Sequence, residues 1–268
     1  MADAREPDLQ AVIGVEAEVG GVDGNTCVLT AVDMWSSVAV VQLYWTPESP
    51  SMRPMREAAE RDELPPKPWS VVDRFTIADD LNTHYEGRGG GIENDRHEAL
   101  QFWPPPPADA TRLIITFEHD HGVTETHIAL GDRSTETFQQ GGLPTSWAPS
   151  GYLGTIAVGA ELGSVESERL WLLAVDLLGK CVTPRFAITS PQELAPTEHA
   201  RVEWSLSDDV DTTYEQGAAR GPGGSFWAGR HQRRWFWPSP PQEATLLTVT
   251  GQWDGRELQH RVSLDRRP

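Results

Sequence analysis

Phe102-Trp103-Pro104-Pro105-Pro106-Pro107 occurs a second time as Phe236-Trp237-Pro238-Ser239-Pro240-Pro241. Around this stretch the match runs without a gap from Ala99–Leu130 to Arg233–Leu264, at a constant offset of 134, with 11 of 32 positions identical. Self-similarity over such a length means one supersecondary unit built twice. Further upstream, Asp79-Asp80-x-x-Thr83-x-Tyr85-Glu86 matches Asp208-Asp209-x-x-Thr212-x-Tyr214-Glu215. Ile13–Gly20 matches Ile156–Gly163, and Ala31-Val32-Asp33-Met34 matches Ala174-Val175-Asp176-Leu177, both at an offset of 143. The offset falls to 129 at the acidic signature and recovers to 134. Copy one therefore carries 14 extra residues within 46–69, and copy two five extra in its glycine-rich loop. Insertions of this size belong on surface loops, where a longer loop costs little to close.

Each copy reads as short strands separated by turns. Val15, Ala17 and Val19 alternate along the first, and Val28, Thr30, Val32 and Met34 along the second, each set expected on one face of its strand. Val38–Trp45 is rich in β-branched and aromatic residues. Trp69–Ala78 resumes strand character. The Phe-Trp strand exits into prolines, which donate no ladder hydrogen bonds and so stop the sheet. Ala110–His119 and Val123–Leu130 form a hairpin around Asp120-His121-Gly122, and in copy two the joint is Asp254-Gly255, a strong short-turn signal. The expected fold is all-β: a tandem of two antiparallel immunoglobulin-like β-sandwich domains. Residues 1–132 form the first, 133–150 a linker and 151–268 the second, each long enough to bury its own core. Prolines bound the insert at 46–68, and Met55–Leu64 within it predicts a short surface helix.

Composition restricts function. A formal charge of −18, from 40 acidic and 22 basic residues, argues against a nucleic-acid binder, which needs clustered basic surface. No apolar run approaches the ~20 residues of a membrane span, and the N-terminal residues lack signal-peptide character. With Cys27 and Cys181 at non-equivalent positions, a disulfide framework is not expected. These features favour a cytoplasmic protein, and no cofactor is expected.

The repeated acidic signature has two readings. Asp79, Asp80, Asp208 and Asp209, with Glu86, Asp211 and Glu215, could present oxygen ligands to calcium. The favoured reading is local: Asx turns onto backbone N–H groups, with the tyrosine hydroxyl tying the corner. His119, His121 and His127 resemble a metal cluster only superficially, because copy two places Trp253, Gly255 and Arg261 there. They read as solvated histidines on a hairpin. No nucleophile elbow, phosphate loop or cysteine–histidine pairing appears, so no catalytic residue is assigned. Contacts are expected where the copies differ. The long loop of copy two combines Phe226 and Trp227 with Arg230 and His231, the aromatic-plus-arginine composition of interface centres. The reading is a non-enzymatic protein-interaction or scaffolding protein with an unidentified protein partner, which the charge of −18 would suit if basic. The alternatives are a calcium- or carbohydrate-binding module and a hydrolase whose acid pair is assembled only in space.

Overall fold

The computed structural model describes residues 8–52, 57–58, 60–61, 71–92, 96–131, 138–139, 151–190, 202–217, 225–226 and 229–264. In the first half the strands are β1 (Leu9–Val22), β2 (Asn25–Trp35), β3 (Ala39–Thr46), β4 (Phe75–Asp79), β5 (Glu86–Ile92), β6 (His97–Trp103), β7 (Arg112–His119) and β8 (Gly122–Ala129). The two-residue β9 (Phe138–Gln139) falls within the expected linker. The second half has β10 (Tyr152–Val165), β11 (Glu168–Leu178), β12 (Val182–Thr189), β13 (Glu203–Asp208), β14 (Glu215–Gln216), β15 (Ser225–Phe226), β16 (Gly229–Arg233), β17 (Phe236–Trp237), β18 (Leu246–Trp253) and β19 (Arg256–Ser263). A 3₁₀ turn, Val71–Arg74, replaces the start of the strand expected from Trp69.

The chain is all-β and sandwich-like, built from four sheets. One large sheet runs β5-β6-β3-β2-β1-β9, antiparallel except where β9 lies parallel to β1. The other runs β10-β11-β12-β16-β15, with β17 pairing both β12 and β14. Two small sheets run β4-β7-β8 and β13-β18-β19. The order departs from an immunoglobulin sandwich of the constant type, whose second and third strands lie in opposite sheets. Here β2 and β3 are hydrogen-bonded neighbours, because tight turns join three long strands in succession. Asp23 and Gly24, at φ of 52° and 76°, make the turn between β1 and β2. A two-residue loop with both residues in this region matches strand twist and forces adjacency.

The halves share their irregularities. The bulge between Gly14 and Ala17 recurs between Ala157 and Ala160, and that between Leu29 and Ala31 recurs between Leu172 and Ala174. The second bulge corrects the expected alternation in β2. Cys27, Leu29, Val32 and Met34 share one core, whereas Val28 faces a different apolar cluster, because one extra residue shifts the period-two phase.

Packing makes three layers of contact. The first large sheet packs on β4-β7-β8 through Ile13, Leu29, Val32, Trp45, Leu113 and Phe117. The second packs on β13-β18-β19 through Leu172, Phe186, Trp204, Leu247, Val249 and Trp253. The two large sheets also pack on each other through Val12, Trp35, Val40, Trp171, Leu173 and Ala187. Every residue from Cys27 to Trp35 is therefore buried, which a two-layer domain standing alone would not show. Cys27 and Cys181 are both free and buried. No helix among the described residues is long and apolar enough to cross a membrane.

Candidate functional site

The densest assembly of titratable side chains lies between the two large sheets, within the strands that carry the repeated Ala-Val-Asp. Asp33 on β2 and Asp176 on β11 are repeat equivalents, and both are about 1% exposed or less. On the neighbouring strands the equivalents diverge: Gln42 in β3, Arg185 in β12. Asp33 Oδ2 accepts from Gln42 Nε2 (2.7 Å) and, across the interface, from Arg185 Nη1 (3.0 Å). Asp176 accepts from Arg233 Nη1, and its Oδ2 lies 3.9 Å from Arg185 Nε and 4.0 Å from His97 Nε2. Arg233 Nη2 reaches back to Gln42 Oε1 (3.3 Å). Tyr152 and Thr155 complete the chain: Thr155 Oγ1 donates to Asp176 Oδ1 (2.6 Å) and lies 2.6 Å from the Tyr152 hydroxyl. At the edge, Glu16 Oε1 accepts from the Thr155 backbone N–H (2.5 Å). Glu16 holds a φ of 52°, where copy two has Gly159 at 61°.

Burial dominates the protonation of this cluster. It pushes His97 well below its ordinary value, helped by Arg233, Arg185 and Arg96, so the imidazole is neutral. It raises the Tyr152 phenol, with Asp176 and Glu16 adding to the effect. Two aspartates and two arginines balance in charge. Buried pairs of this kind add little net stability but are costly to break, and they serve as registry devices. The arrangement is complementary between halves, not within one. The first half contributes Asp33, Gln42 and His97, and the second contributes both arginines. Sequence reasoning noted the repeated Asp33 and Asp176 without assigning them a role. The available signal was a carboxylate recurring inside an apolar strand.

The acidic signature folds locally. Asp79 Oδ1 accepts from the N–H groups of Leu81 (3.0 Å) and Thr83 (2.9 Å), and Oδ2 accepts from the Tyr85 hydroxyl (2.7 Å). Asp208 repeats this with Val210 (3.1 Å), Thr212 (2.9 Å) and Tyr214 (2.8 Å). Burial pushes both carboxyls up, but the hydrogen bonds from Thr83 and Tyr85, or Thr212 and Tyr214, outweigh it and leave them below the usual range. Asp80 and Asp209 cap the next strand pair, accepting from Thr111 N (3.0 Å) and Thr245 N (3.0 Å). The Thr111 and Thr245 hydroxyls are the main cause of lowering in these two carboxyls. Asn82 and Asp211, at φ of 59° and 60°, make the same left-handed turn. The carboxylates are thus engaged by the chain's own donors. Among the described residues no cluster of three metal-ligating side chains forms.

Of the histidines, the structure brings together His119 and His121, whose rings lie 6.4 Å apart. His127 sits farther along β8, exposed, 3.7 Å from Glu125. His119 is locked: Nε2 pairs with Thr124 Oγ1 (3.0 Å) and Nδ1 accepts from the His121 backbone N–H (3.2 Å). An open cleft of about 450 Å³ lies beside it, lined by Glu18, Asn25, His119, Asp120, His121 and Thr124 among others. At the equivalent place in copy two Trp253 is buried where His119 stands; His119 comes within 2.6 Å of where a Cβ on Gly20 would be, and Leu258 within 2.9 Å of one on Gly163.

The expected contact loop is partly corrected. His231 is not on an exposed loop: it is 2% exposed, in β16 opposite Ala187, with its ring 5.9 Å from that of Trp35. Its place in a ladder strand facing the other large sheet excludes it from an external contact. Arg230 pairs with Ile188 in the same strand, and Phe226 pairs with Gly229 in the short outer strand β15. Trp227 lies outside the described residues.

No protein-family model and no curated protein matches the chain. Among solved structures it is similar to the conserved domain protein from Bacillus anthracis, over 94% of this chain and 91% of that one. The identity is 10% and the TM-score 0.33, a likeness too low to bear on function.

Proposed function

We propose that the chain is a non-enzymatic interaction or scaffolding protein, a tandem of two β-sandwich units that works by surface contact with a protein partner. The observation carrying this reading is that its clustered acids and bases are turned onto the chain itself. Asp33, Asp176, Arg185 and Arg233 hold the large sheets together, and Asp79, Asp80, Asp208 and Asp209 cap local backbone. The contact is assigned to Phe226 of β15 and Arg230 of β16, at the outer edge of the second large sheet, together with Trp227 between them in sequence. With a net charge of −18, a basic partner would be steered toward the molecule. The test is a quantitative pull-down with Phe226→Ala plus Trp227→Ala. The variant keeps the wild-type melting temperature and loses the principal partner. A partner retained at wild-type affinity rejects this assignment.

A small-ligand module is the second reading, favoured by the open cleft beside His119. Simple sugars raising the melting temperature in wild type but not in His121→Ala would establish it, since binding to the folded state stabilises by mass action.

A further inference from the structure

Glu98 lies in β6 with its side chain in the core between sheets, 4% exposed. Both its oxygens are held by the start of the insert. Ser49 Oγ donates to Oε2 (2.9 Å) and Ser51 Oγ to Oε1 (3.2 Å), while the Ser51 backbone N–H donates to Ser49 Oγ (3.2 Å). Ser49 and Ser51 are themselves about 1% exposed or less, so this stretch is not the surface decoration that its prolines suggested. The comparison between halves is informative. Glu98 pairs with Leu43 in register, and the equivalent pair in copy two is Gln232 with Phe186. Copy two thus has an amide in place of the acid, and no insert at the end of its equivalent strand. Among the described residues Gln232 accepts from Arg234 Nη2 (3.0 Å). Acid and insert occur together, and both are missing together.

We propose that Glu98 is a proton-controlled latch: while neutral it holds the stretch Pro47–Met52 against the first half, and on ionising it lets that stretch go. A carboxylate closed off from water loses its hydration, and two serine hydroxyls replace only part of it. Burial accordingly raises the Glu98 carboxyl to about 7, with Ser49, Ser51 and Trp45 pulling it partly back. Among the described residues the titratable group facing it is the Cys27 thiol on β2, itself raised by burial and then by Glu98. The neighbouring cations point elsewhere. Arg96 donates to the Tyr44 hydroxyl (3.0 Å), and His97 faces the second half. The sign follows from linkage. The closed form binds the proton more tightly than an exposed glutamate near 4.5. The stability of closure is therefore full below that value, weakens about tenfold per pH unit above it and is lost as pH rises through about 7, beyond which both forms are ionised and it changes no further. For a chain that acts by contact, as proposed above, the latch would meter release of this stretch between mildly acidic and neutral pH. The experiment needs no partner, so its failure is separate from failure of that reading.

The test is hydrogen exchange on the full chain from about pH 4 to 8, with protection of the peptide covering 47–52 corrected for intrinsic exchange. In wild type, protection falls about tenfold per unit between roughly 4.5 and 7 and levels off above that. Glu98→Gln, which cannot ionise, gives protection independent of pH, and Ser49→Ala plus Ser51→Ala gives low protection throughout. Flat protection in wild type overturns the latch whatever the variants do, and so does the same fall in Glu98→Gln. Should Glu98→Gln not fold, the serine double variant decides: a wild-type pH response in that protein refutes the proposal.

Discussion

Two pairs of repeated aspartates stand side by side in this molecule and behave differently. Asp79 and Asp208 take their partners from within six residues, and the two copies agree to within about 0.1 Å in each bond. Asp33 and Asp176 are equally faithful repeats, yet their cationic partners lie 152 and 57 residues away, both in the second half. The first pair is symmetric because each turn closes on itself. The second pair has become asymmetric because the two copies face each other: Gln42 opposes Arg185, and Ala99 occupies the position equivalent to Arg233. Two first halves meeting in this way would bury two aspartates with no arginine. The asymmetry therefore specifies one half for the other, a discrimination built from the cost of unpaired buried charge.

The comparison can be broken most severely by separating the halves. Residues 1–132 and 150–268 expressed apart each expose the face carrying Trp35 or Trp171, where each large apolar side chain loses about 1.5–3 kcal/mol of burial. Each is expected to aggregate or lack cooperative unfolding, and the two mixed to form a 1:1 complex on size exclusion with light scattering. Two folded, monomeric fragments with no mutual affinity would show that the interface between large sheets contributes little.

Next in size is Asp176→Ala. It removes the carboxylate that pairs with Arg233 and a neighbour of Arg185, so urea denaturation should show a loss of about 3–5 kcal/mol. A loss no greater than that of Asp208→Ala would erase the distinction between the two kinds of repeated acid.

Asp79→Ala and Asp208→Ala should each cost about 0.5–2 kcal/mol, as loss of a local cap does, and by similar amounts in both halves. These carboxyls are lowered in the folded state, so their contribution is present above the unfolded value of about 3.9 and lost as pH falls through the folded one. The gap between wild type and variant should accordingly close in acid. Calcium should leave the melting temperature of wild type unchanged, and a calcium-dependent rise abolished by either variant would turn the acidic loops into a cation site. Smallest is Tyr85→Phe or Tyr214→Phe, at about 0.5–1.5 kcal/mol for one partly exposed hydrogen bond. Unequal effects of the two would expose a difference between halves that the bond lengths do not show.

Local order was legible in the residues wherever the physics is local. The duplication, the strand positions, the Asp-Gly turns and the acid-capped corners all follow from periodicity, glycine placement and side chains reaching a few residues away. The bulge at Leu29–Ala31 escaped, because a one-residue phase shift leaves an apolar run looking the same. His231 reads as polar loop next to Arg230, Gln232 and Arg233 for a related reason, yet it lies in a strand on the face turned to the other large sheet. What the sequence determined by itself was two copies of one all-β unit with self-satisfied acidic turns. Only the tertiary structure decided that the large sheets face each other, that Asp33, Asp176, Arg185 and Arg233 meet there, and that Ser49 and Ser51 close over Glu98. A contact between distant strands depends on which faces come together, and that is settled by packing the whole chain at once, not by any stretch of it.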